Sequence, residues 1–254
     1  LWHRLFECSL TQTLREDMLT TDLTTQIGIC TDRTDPFLTR GLTLDPPGIL
    51  EPPLSDNAAI FEGLLPGQQL TGHLYGDGSC YDPKSPVLAR AGWAVVAVND
   101  DGELQSVAYG PVPNGIPQTS QSGEHCARIA KDDLAAPNTD YHTDCTAVES
   151  YASHGILWAT GRDRQHAGIY LNAMRSGSFH NTRDVIKVQG HAGVTADETD
   201  LNKRHRLGNE LADHFCKRGA KLHPLTEAGR AEVYDAVNKV TDLCRFAAKA
   251  ITKW

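Results

Sequence analysis

A predicted β-hairpin constrains the fold of this chain more than any other segment. Residues 90–98 (RAGWAVVAV) and residues 103–110 (ELQSVAYG) are both rich in strand-forming residues, and the turn Asn99-Asp100-Asp101-Gly102 lies between them. An Asp-Gly pair between two such runs favours a tight antiparallel connection. The chain is therefore expected to contain an antiparallel pair of strands, to which the other elements add.

From residue 71 onwards, strand-like and helix-like patterns follow one another around this hairpin. A short strand and turn (GHLYGDGSC, 72–80) precede it, and helical segments alternate with two further strands after it. The predicted order is β-β-β-α-β-α-(α)-β-α. This order favours an α/β fold, in which a mixed sheet is flanked by helices.

The segments outside this region differ in character. Residues 1–24 are predicted to be helical, whereas residues 25–70 contain DPF, DPPG, EPPL and LPG, and such prolines favour a linker with short turns. Residues 225–253 show the periodicity of an amphipathic helix. We predict an N-terminal helical segment and linker (1–70), a central domain (71–222) and a C-terminal amphipathic helix (223–254).

The net charge is unevenly distributed along the chain. Its 254 residues carry a formal charge of −8, which taken alone argues against a nucleic-acid-binding protein. Residues 161–221, however, hold 11 Lys and Arg against 7 Asp and Glu, so this stretch has a charge of +4. Because of this basic stretch, the negative total charge does not exclude a nucleic-acid partner.

Hydropathy and cysteine content predict whether the protein contacts a membrane and whether its compartment is reducing. No apolar run approaches the roughly 18 residues that a membrane-spanning helix requires, so we expect no membrane contact. The seven cysteines are widely spaced and form no CxxC pair, which favours reduced thiols and an intracellular, non-secreted protein. The chain begins with Leu1 instead of Met, so we expect it to be part of a longer protein.

Four acidic residues lie at positions from which they could converge. Asp77 follows a predicted strand, Glu124 begins a helix, Asp144 ends the strand YHTD, and Asp213 lies within a helix. Clustered carboxylates require compensation of their charge, and a hard divalent cation such as Mg²⁺ supplies it. Two such ions together promote phosphoryl displacement. Each acid taken singly would be expected to be an ordinary surface charge.

Five motifs around the four acidic residues indicate that these residues are more than ordinary surface charges. GDGSC, GEHCARIA, YHTDCTAVES, VQGHAG and GNELADHFCKRGA occur in this order and together resemble the ribonuclease H family, type 1, over roughly residues 71–222. The resemblance implies a five-stranded mixed sheet flanked by helices. It also implies an endonuclease that cuts the RNA strand of an RNA–DNA hybrid by two-metal hydrolysis, leaving 3′-hydroxyl and 5′-phosphate ends.

The resemblance assigns a role to each matched residue. Asp77 would bridge two Mg²⁺ ions, for which Mn²⁺ is a possible substitute, while Glu124 and Asp144 would hold the metal on the leaving-group side. Asp213 would support the metal that activates water. His191 in QGHAG matches a histidine that assists proton transfer, a task suited to its ordinary pKa near about 6.5.

The hybrid must also be bound. Small polar groups near the carboxylates could meet phosphates and 2′-hydroxyls: Gly78, Ser79, Thr119, Ser120 and Asn209. Basic residues of the +4 stretch add candidate phosphate contacts: Arg162 and Arg164 in GRDRQH, and Arg204 in LNKRHR, which is expected to lie in an enlarged loop before the Asp213 helix. Trp158 is a further candidate for the DNA strand, although a core position is favoured.

Two alternatives remain open from the residues. The chain could be a catalytically silent nucleic-acid-binding module, or another member of the same fold superfamily, such as a transposase or an exonuclease.

The N-terminal residues LWHRLFECS resemble the end of the zinc-binding segment that follows reverse transcriptase in non-LTR retrotransposon polyproteins. This resemblance implies an upstream reverse transcriptase domain. His3 and Cys8 alone cannot complete a zinc site, so none is predicted.

Overall fold

A computed structural model of the chain describes residues 8–18, 54, 59–85, 87–137, 139–177, 185–190, 193–195 and 197–252. By its contacts the chain divides into two compact units: Glu51–Pro224, and Leu1–Leu50 with Leu225–Trp254. The predicted division at residues 70 and 222 concerns independent domains and stays a prediction.

The larger unit contains six strands and five helices among its described residues. The strands are β1 (Ile60–Glu62), β2 (His73–Tyr81), β3 (Arg90–Val98), β4 (Leu104–Pro111), β5 (Tyr141–Thr143) and β6 (Val185–Lys187). The helices are α2 (Ser120–Leu134), α3 (Thr146–His154), α4 (Ile156–Ala159), α5 (Ala167–Ser176) and α6 (Asp200–Ala220).

The smaller unit is helical in its described part. A 3₁₀ turn (Ser9–Thr11) leads into α1 (Gln12–Met18), and α7 spans Glu227–Thr252. Leu14, Val233 and Phe246 are buried in this unit. The described part of the chain contains no helix that is long and apolar enough to cross a membrane.

The sheet is mixed, as the sequence predicted. Its strand order is β1-β4-β3-β2-β5-β6. The pairs β1–β4, β4–β3 and β3–β2 are antiparallel, whereas β5 runs parallel to both of its neighbours, β2 and β6. The α/β prediction is confirmed, but the number of strands is six and not five.

The additional strand lies in the segment predicted to be a linker. Residues Ile60–Glu62 pair with Val107–Tyr109 at the edge of the sheet. Three residues are too few to show a period-2 pattern, so sequence periodicity could not reveal this strand. The Tyr109 hydroxyl donates to Glu62 (2.9 Å) and Arg218 of α6 also contacts this carboxylate (2.7 Å), which ties the strand to the core.

The predicted hairpin forms β3 and β4. The side-chain oxygen of Asn99 accepts hydrogen bonds from the backbone N–H of Asp101 (3.0 Å) and of Glu103 (2.8 Å). Gly102 has a φ of 82°, a conformation that residues with a Cβ rarely adopt. The Asx-type turn and this glycine therefore explain why the chain reverses here.

Helices cover both faces of the sheet because its central strands are apolar on both faces. Every residue of β3 is buried. Its odd-numbered residues, such as Trp93 and Val95, pack in one core with residues of α2, α3 and α5. The even-numbered Ala94 and Val96 pack in a second core with α6. This alternation is the period of two that a strand imposes.

Glycines set how closely α2 and α6 approach the sheet. A Cβ on Gly78 of β2 would collide with the backbone of α2 at Glu124 and Ser120. A Cβ on Gly92 of β3 would meet the carbonyl oxygen of Cys216 at 2.5 Å and collide with the Ala220 amide. Both helices therefore lie nearly backbone to backbone against the sheet next to Asp77.

Helix α6 begins earlier than the sequence predicted. The residues LNKRHR were expected in an enlarged loop, but Leu201–Arg206 belong to the first turns of the helix, which starts at Asp200. The Thr199 hydroxyl caps it by accepting from the Asn202 N–H (3.2 Å). A capping threonine before this segment was the available signal for the true start.

Candidate active site

Asp77 lies in the middle of β2, where the sheet meets α2 and α6. Its side chain is 9% exposed. One carboxylate oxygen accepts a hydrogen bond from the Gly78 N–H (2.7 Å), and the other lies 3.6 Å from the Cys216 sulfur. Burial raises the pKa of Asp77; hydrogen bonding with Glu124 opposes this, and the neighbouring Asp144 and Asp213 carboxylates add to it.

Glu124 reaches the same point from the first turns of α2. Its side chain is 8% exposed, and the Thr143 hydroxyl at the end of β5 lies 3.4 Å from one carboxylate oxygen. Burial and the nearby Asp77 charge raise the pKa of Glu124 well above its ordinary value. Without a bound cation, burial beside Asp77 therefore favours the protonated form of Glu124.

Asp144 follows β5 directly and is held from two other elements. The Asn209 side-chain N–H of α6 donates to its carboxylate (3.3 Å), and the ammonium of Lys187, the last residue of β6, donates to its backbone carbonyl (3.1 Å). Gly190 passes so close to this carboxylate that a Cβ there would collide with it. The position of Asp144 thus depends on β5, β6 and α6 together.

The first candidate metal group is formed by Asp77, Glu124 and Asp144. One carboxylate oxygen from each of the three lies within 4.8 Å of the other two. Oxygen donors in this arrangement match the ligand preference of hard divalent cations. Burial first, and then the neighbouring carboxylates, raise the pKa values of Asp77 and Glu124, and a bound cation would offset both effects.

A second candidate group shares Asp77 and adds Asp213 and Cys216 of α6. One ligand atom from each of these residues also lies within 4.8 Å of the others. The Lys217 ammonium binds the Asp213 carboxylate at 2.6 Å, and this ion pair raises the pKa of Lys217. Among the described residues, these two are the groups of three or more metal-ligating side chains with this geometry.

Cys216 was missed at the level of sequence. The signal was present, because residues three apart share one face of a helix and Cys216 follows Asp213 by three. Three other cysteines, Cys80, Cys126 and Cys145, each lie within three residues of a candidate carboxylate, and their sequence context predicts hydrophobic packing. Of these, Cys126 is buried, whereas Cys80 and Cys145 are half-buried.

The small polar residues predicted to contact nucleic acid lie on two sides of the carboxylates. Gly78 and Ser79 follow Asp77 in β2, and Thr119 and exposed Ser120 lie at the start of α2. The Thr119 hydroxyl caps α2 by accepting from the Ser122 N–H (3.0 Å). These four residues therefore surround the point where α2 meets β2.

Asn209 lies on the other side, next to Asp144. Its amide N–H contacts that carboxylate. Its side-chain oxygen is buried and has no hydrogen-bond partner within the described part of the chain. A buried acceptor without a partner is costly, so a polar group is expected to bind there.

The three predicted basic contacts lie in two separate segments. Arg162 is exposed in the turn before α5, and the nearby Arg164 guanidinium stacks 3.8 Å above the ring of Trp158. Arg204, near the start of α6, forms an ion pair with Asp100 (3.3 Å) in the hairpin turn. The structure therefore does not bring Arg204 together with Arg162 and Arg164 as one basic patch.

Trp158 is half-buried, and His154 stacks on it with the ring centroids 4.5 Å apart. The remaining predicted catalytic residue, His191, lies outside the described residues, and its role stays a prediction.

Comparisons with known proteins give a likeness at the level of solved structures. No family model matches the sequence, and no curated protein matches it. A foamy viral protease–reverse transcriptase in complex with double-stranded DNA aligns at 20% identity and a TM-score of 0.40, over 63% of this chain and 99% of that chain. The PFV ribonuclease H domain, solved in solution, aligns at 19% identity and a TM-score of 0.42, over 61% of this chain and 96% of its own.

A third solved structure is the N-terminal ribonuclease H domain of a Mycobacterium tuberculosis protein, fused to maltose-binding protein. It aligns at 16% identity and a TM-score of 0.38, over 60% of this chain and 96% of that chain. Because the identities are low and the TM-scores lie below 0.5, the assignment of an activity depends on the chain's own residues.

Proposed function

We propose that this chain is a metal-dependent ribonuclease H that hydrolyses the RNA strand of RNA–DNA hybrids. The observation that carries the proposal is the pair of ligand groups that share Asp77: Asp77 with Glu124 and Asp144, and Asp77 with Asp213 and Cys216. Two-metal phosphoryl transfer needs two cations about 3.5–4 Å apart, and a shared carboxylate would hold two cations next to each other. The order of the five sequence motifs supports the choice of substrate.

Four carboxylates of the chain are proposed to bind two divalent cations, Mg²⁺ or Mn²⁺. Glu124 and Asp144 would hold one cation, Asp213 would support the other, and Asp77 would contribute to both. When bound, the cations would lower the pKa of an attacking water and offset the negative charge of the phosphate. Water loses a proton as its oxygen bonds to phosphorus, the bond between phosphorus and the 3′-oxygen breaks, and the 3′-oxygen takes up a proton. The products are a 3′-hydroxyl and a 5′-phosphate end.

Substrate contacts are proposed for the polar groups around this centre. Gly78, Ser79, Thr119 and Ser120 line one side, and the unpartnered Asn209 oxygen lies on the other. Groups that donate to or accept from a 2′-hydroxyl distinguish RNA from DNA. Arg162, Arg164 and Arg204 are proposed phosphate contacts, and His191 is proposed to carry a proton, from the sequence alone.

We also propose that the domain works beside a reverse transcriptase in a retroelement polyprotein. The support is the sequence resemblance of LWHRLFECS to the segment that follows such an enzyme. In that setting the RNA–DNA hybrid is the product of the neighbouring domain.

Labelled RNA–DNA hybrid, double-stranded RNA and single-stranded RNA, each incubated with Mg²⁺, with Mn²⁺ or with a chelator, test the activity. We expect cleavage of the hybrid alone, and only with metal. Asp144→Asn should slow it by at least about a hundredfold, the scale on which loss of one charge-stabilising group acts. Asp140→Asn, an exposed neighbour on the same segment, is the matched control and should cleave normally.

Wild-type protein that binds the hybrid in a salt-dependent manner, without cutting it under any of these conditions, would overturn the proposal. That result would favour the catalytically silent binding module.

A further inference from the structure

Cys216 is fixed in place beside the carboxylates. Its side chain is 0% exposed. Its sulfur lies 3.6 Å from a carboxylate oxygen of Asp77 and 3.2 Å from the backbone carbonyl of Asp213. Because Gly92 of β3 lies directly against the backbone of α6 at this residue, the helix cannot move the thiol away from Asp77 without losing its packing on the sheet.

A sulfur ligand changes which cations a site prefers. Thiolates select soft and borderline ions such as Zn²⁺ and Cd²⁺, whereas Mg²⁺ takes oxygen ligands. The group of Asp77, Glu124 and Asp144 offers oxygen alone, but the group of Asp77, Asp213 and Cys216 offers two oxygens and one sulfur. The two adjacent positions therefore differ in ligand chemistry, although they share Asp77.

We propose that Asp77, Asp213 and Cys216 form a binding site for a thiophilic divalent cation, Zn²⁺ or Cd²⁺. Binding breaks the S–H bond, releases the proton to solvent or buffer and forms a metal–sulfur bond, with no change of oxidation state. Three protein ligands leave a fourth position open to water.

The site has a consequence for regulation, which rests on the proposed nuclease function. A thiophilic cation at this position occupies the place of the second catalytic Mg²⁺ and withdraws Asp77 and Asp213 from it. Zinc or cadmium is then an inhibitor of Mg²⁺-dependent cleavage. Lys217, whose ammonium contacts Asp213 at 2.6 Å, competes with any cation that binds there.

Direct binding of Cd²⁺ to the full chain tests the site without reference to activity. Titration with CdCl₂ should produce the ultraviolet sulfur-to-cadmium charge-transfer band, and Cys216→Ser and Cys216→Ala should each abolish it. Two variants are controls: Cys126→Ser, a buried cysteine in α2, and Cys244→Ser, an exposed cysteine in α7. Both controls should keep the band, and circular dichroism verifies that every variant is folded.

A band that survives in both folded Cys216 variants, or no band in the wild type, would overturn the inference. Inhibition is measured as the ratio of the cleavage rate in Mg²⁺ with Zn²⁺ to the rate in Mg²⁺ alone. A wild type that shows the band but never cleaves hybrid contradicts the nuclease proposal and leaves the cation site standing. A wild type that cleaves hybrid but shows no band contradicts the cation site alone.

Discussion

Replacing Asp77 with asparagine tests the crowding of the carboxyl groups directly. Asp77 belongs to both ligand groups, and its oxygens lie within 4.8 Å of those of Glu124 and Asp144. Two unit charges at that distance repel each other by about 3 kcal/mol at an effective dielectric constant near 20. Asparagine has nearly the same shape, keeps an oxygen for the Gly78 N–H and removes the charge.

The sign of the effect on stability follows from the pKa shifts. Burial and neighbouring charges raise the pKa values of Asp77 and Glu124 above their ordinary 3.8 and 4.5. A carboxyl group with a raised pKa holds its proton more tightly in the folded state. Its contribution to stability is therefore fully present below about pH 4 and is lost as the pH rises through the raised values.

The metal-free Asp77→Asn protein should accordingly be more stable than the wild type at high pH, and the difference should shrink towards about pH 4. Because the pKa of Glu124 is raised too, the gain is smaller than the full repulsion, about 1–3 kcal/mol near pH 8.5. For a unit of this size that is a rise of roughly 2–12 °C in Tm. Cleavage should be lost, because both cation sites lose a ligand.

Thermal melts followed by circular dichroism, in chelator from pH 4 to pH 9, measure this difference. Asp101→Asn, an exposed acid in the hairpin turn, is the control and should leave Tm unchanged at every pH. Mg²⁺ should raise the Tm of the wild type more than that of Asp77→Asn. Equal melting curves for wild type and Asp77→Asn over the whole pH range would refute the reasoning.

Two further predictions concern the packing and the electrostatics of the same region. Gly92→Ala should destabilise the larger unit by about 3 kcal/mol or more in urea unfolding, since its Cβ meets the backbone of α6, whereas Gly168→Ala in open space should be neutral or slightly stabilising. Equal stabilities would contradict the close approach of α6. Lys217→Gln should tighten Cd²⁺ binding by about two- to fivefold in calorimetry, as expected for an exposed ion pair, with exposed Lys203→Gln as control. Unchanged or weaker binding would show that Lys217 does not compete with the cation.

The sequence by itself determined the elements whose signals are local. The Asn99–Gly102 turn specifies the β3–β4 hairpin, because the Asx hydrogen bonds and the positive φ of Gly102 need no distant partner. The alternation of strands and helices after it was sufficient to predict a mixed sheet flanked by helices. Asp77, Glu124, Asp144 and Asp213 were identified from the motifs around them.

Only the tertiary structure decided what these carboxylates contact. Strand β1 exists because Tyr109 and Arg218 hold Glu62, contacts that lie 47 and 156 residues apart in sequence. The first turns of α6 are helical where a loop was expected, since the cap at Thr199 and the packing of the whole helix against β3 outweigh the polar character of LNKRHR.

The same holds for the ligand set of the site. Cys216 joins Asp77 in the second group, with Lys217 beside it, because α6 packs backbone to backbone on Gly92. Asn209 contacts Asp144 because α6 packs on β2, the strand with which β5 pairs. The sequence thus determines which residues can bind a cation. The tertiary structure determines that one of the two positions contains a sulfur, since that depends on how closely a helix can approach a glycine in a neighbouring strand.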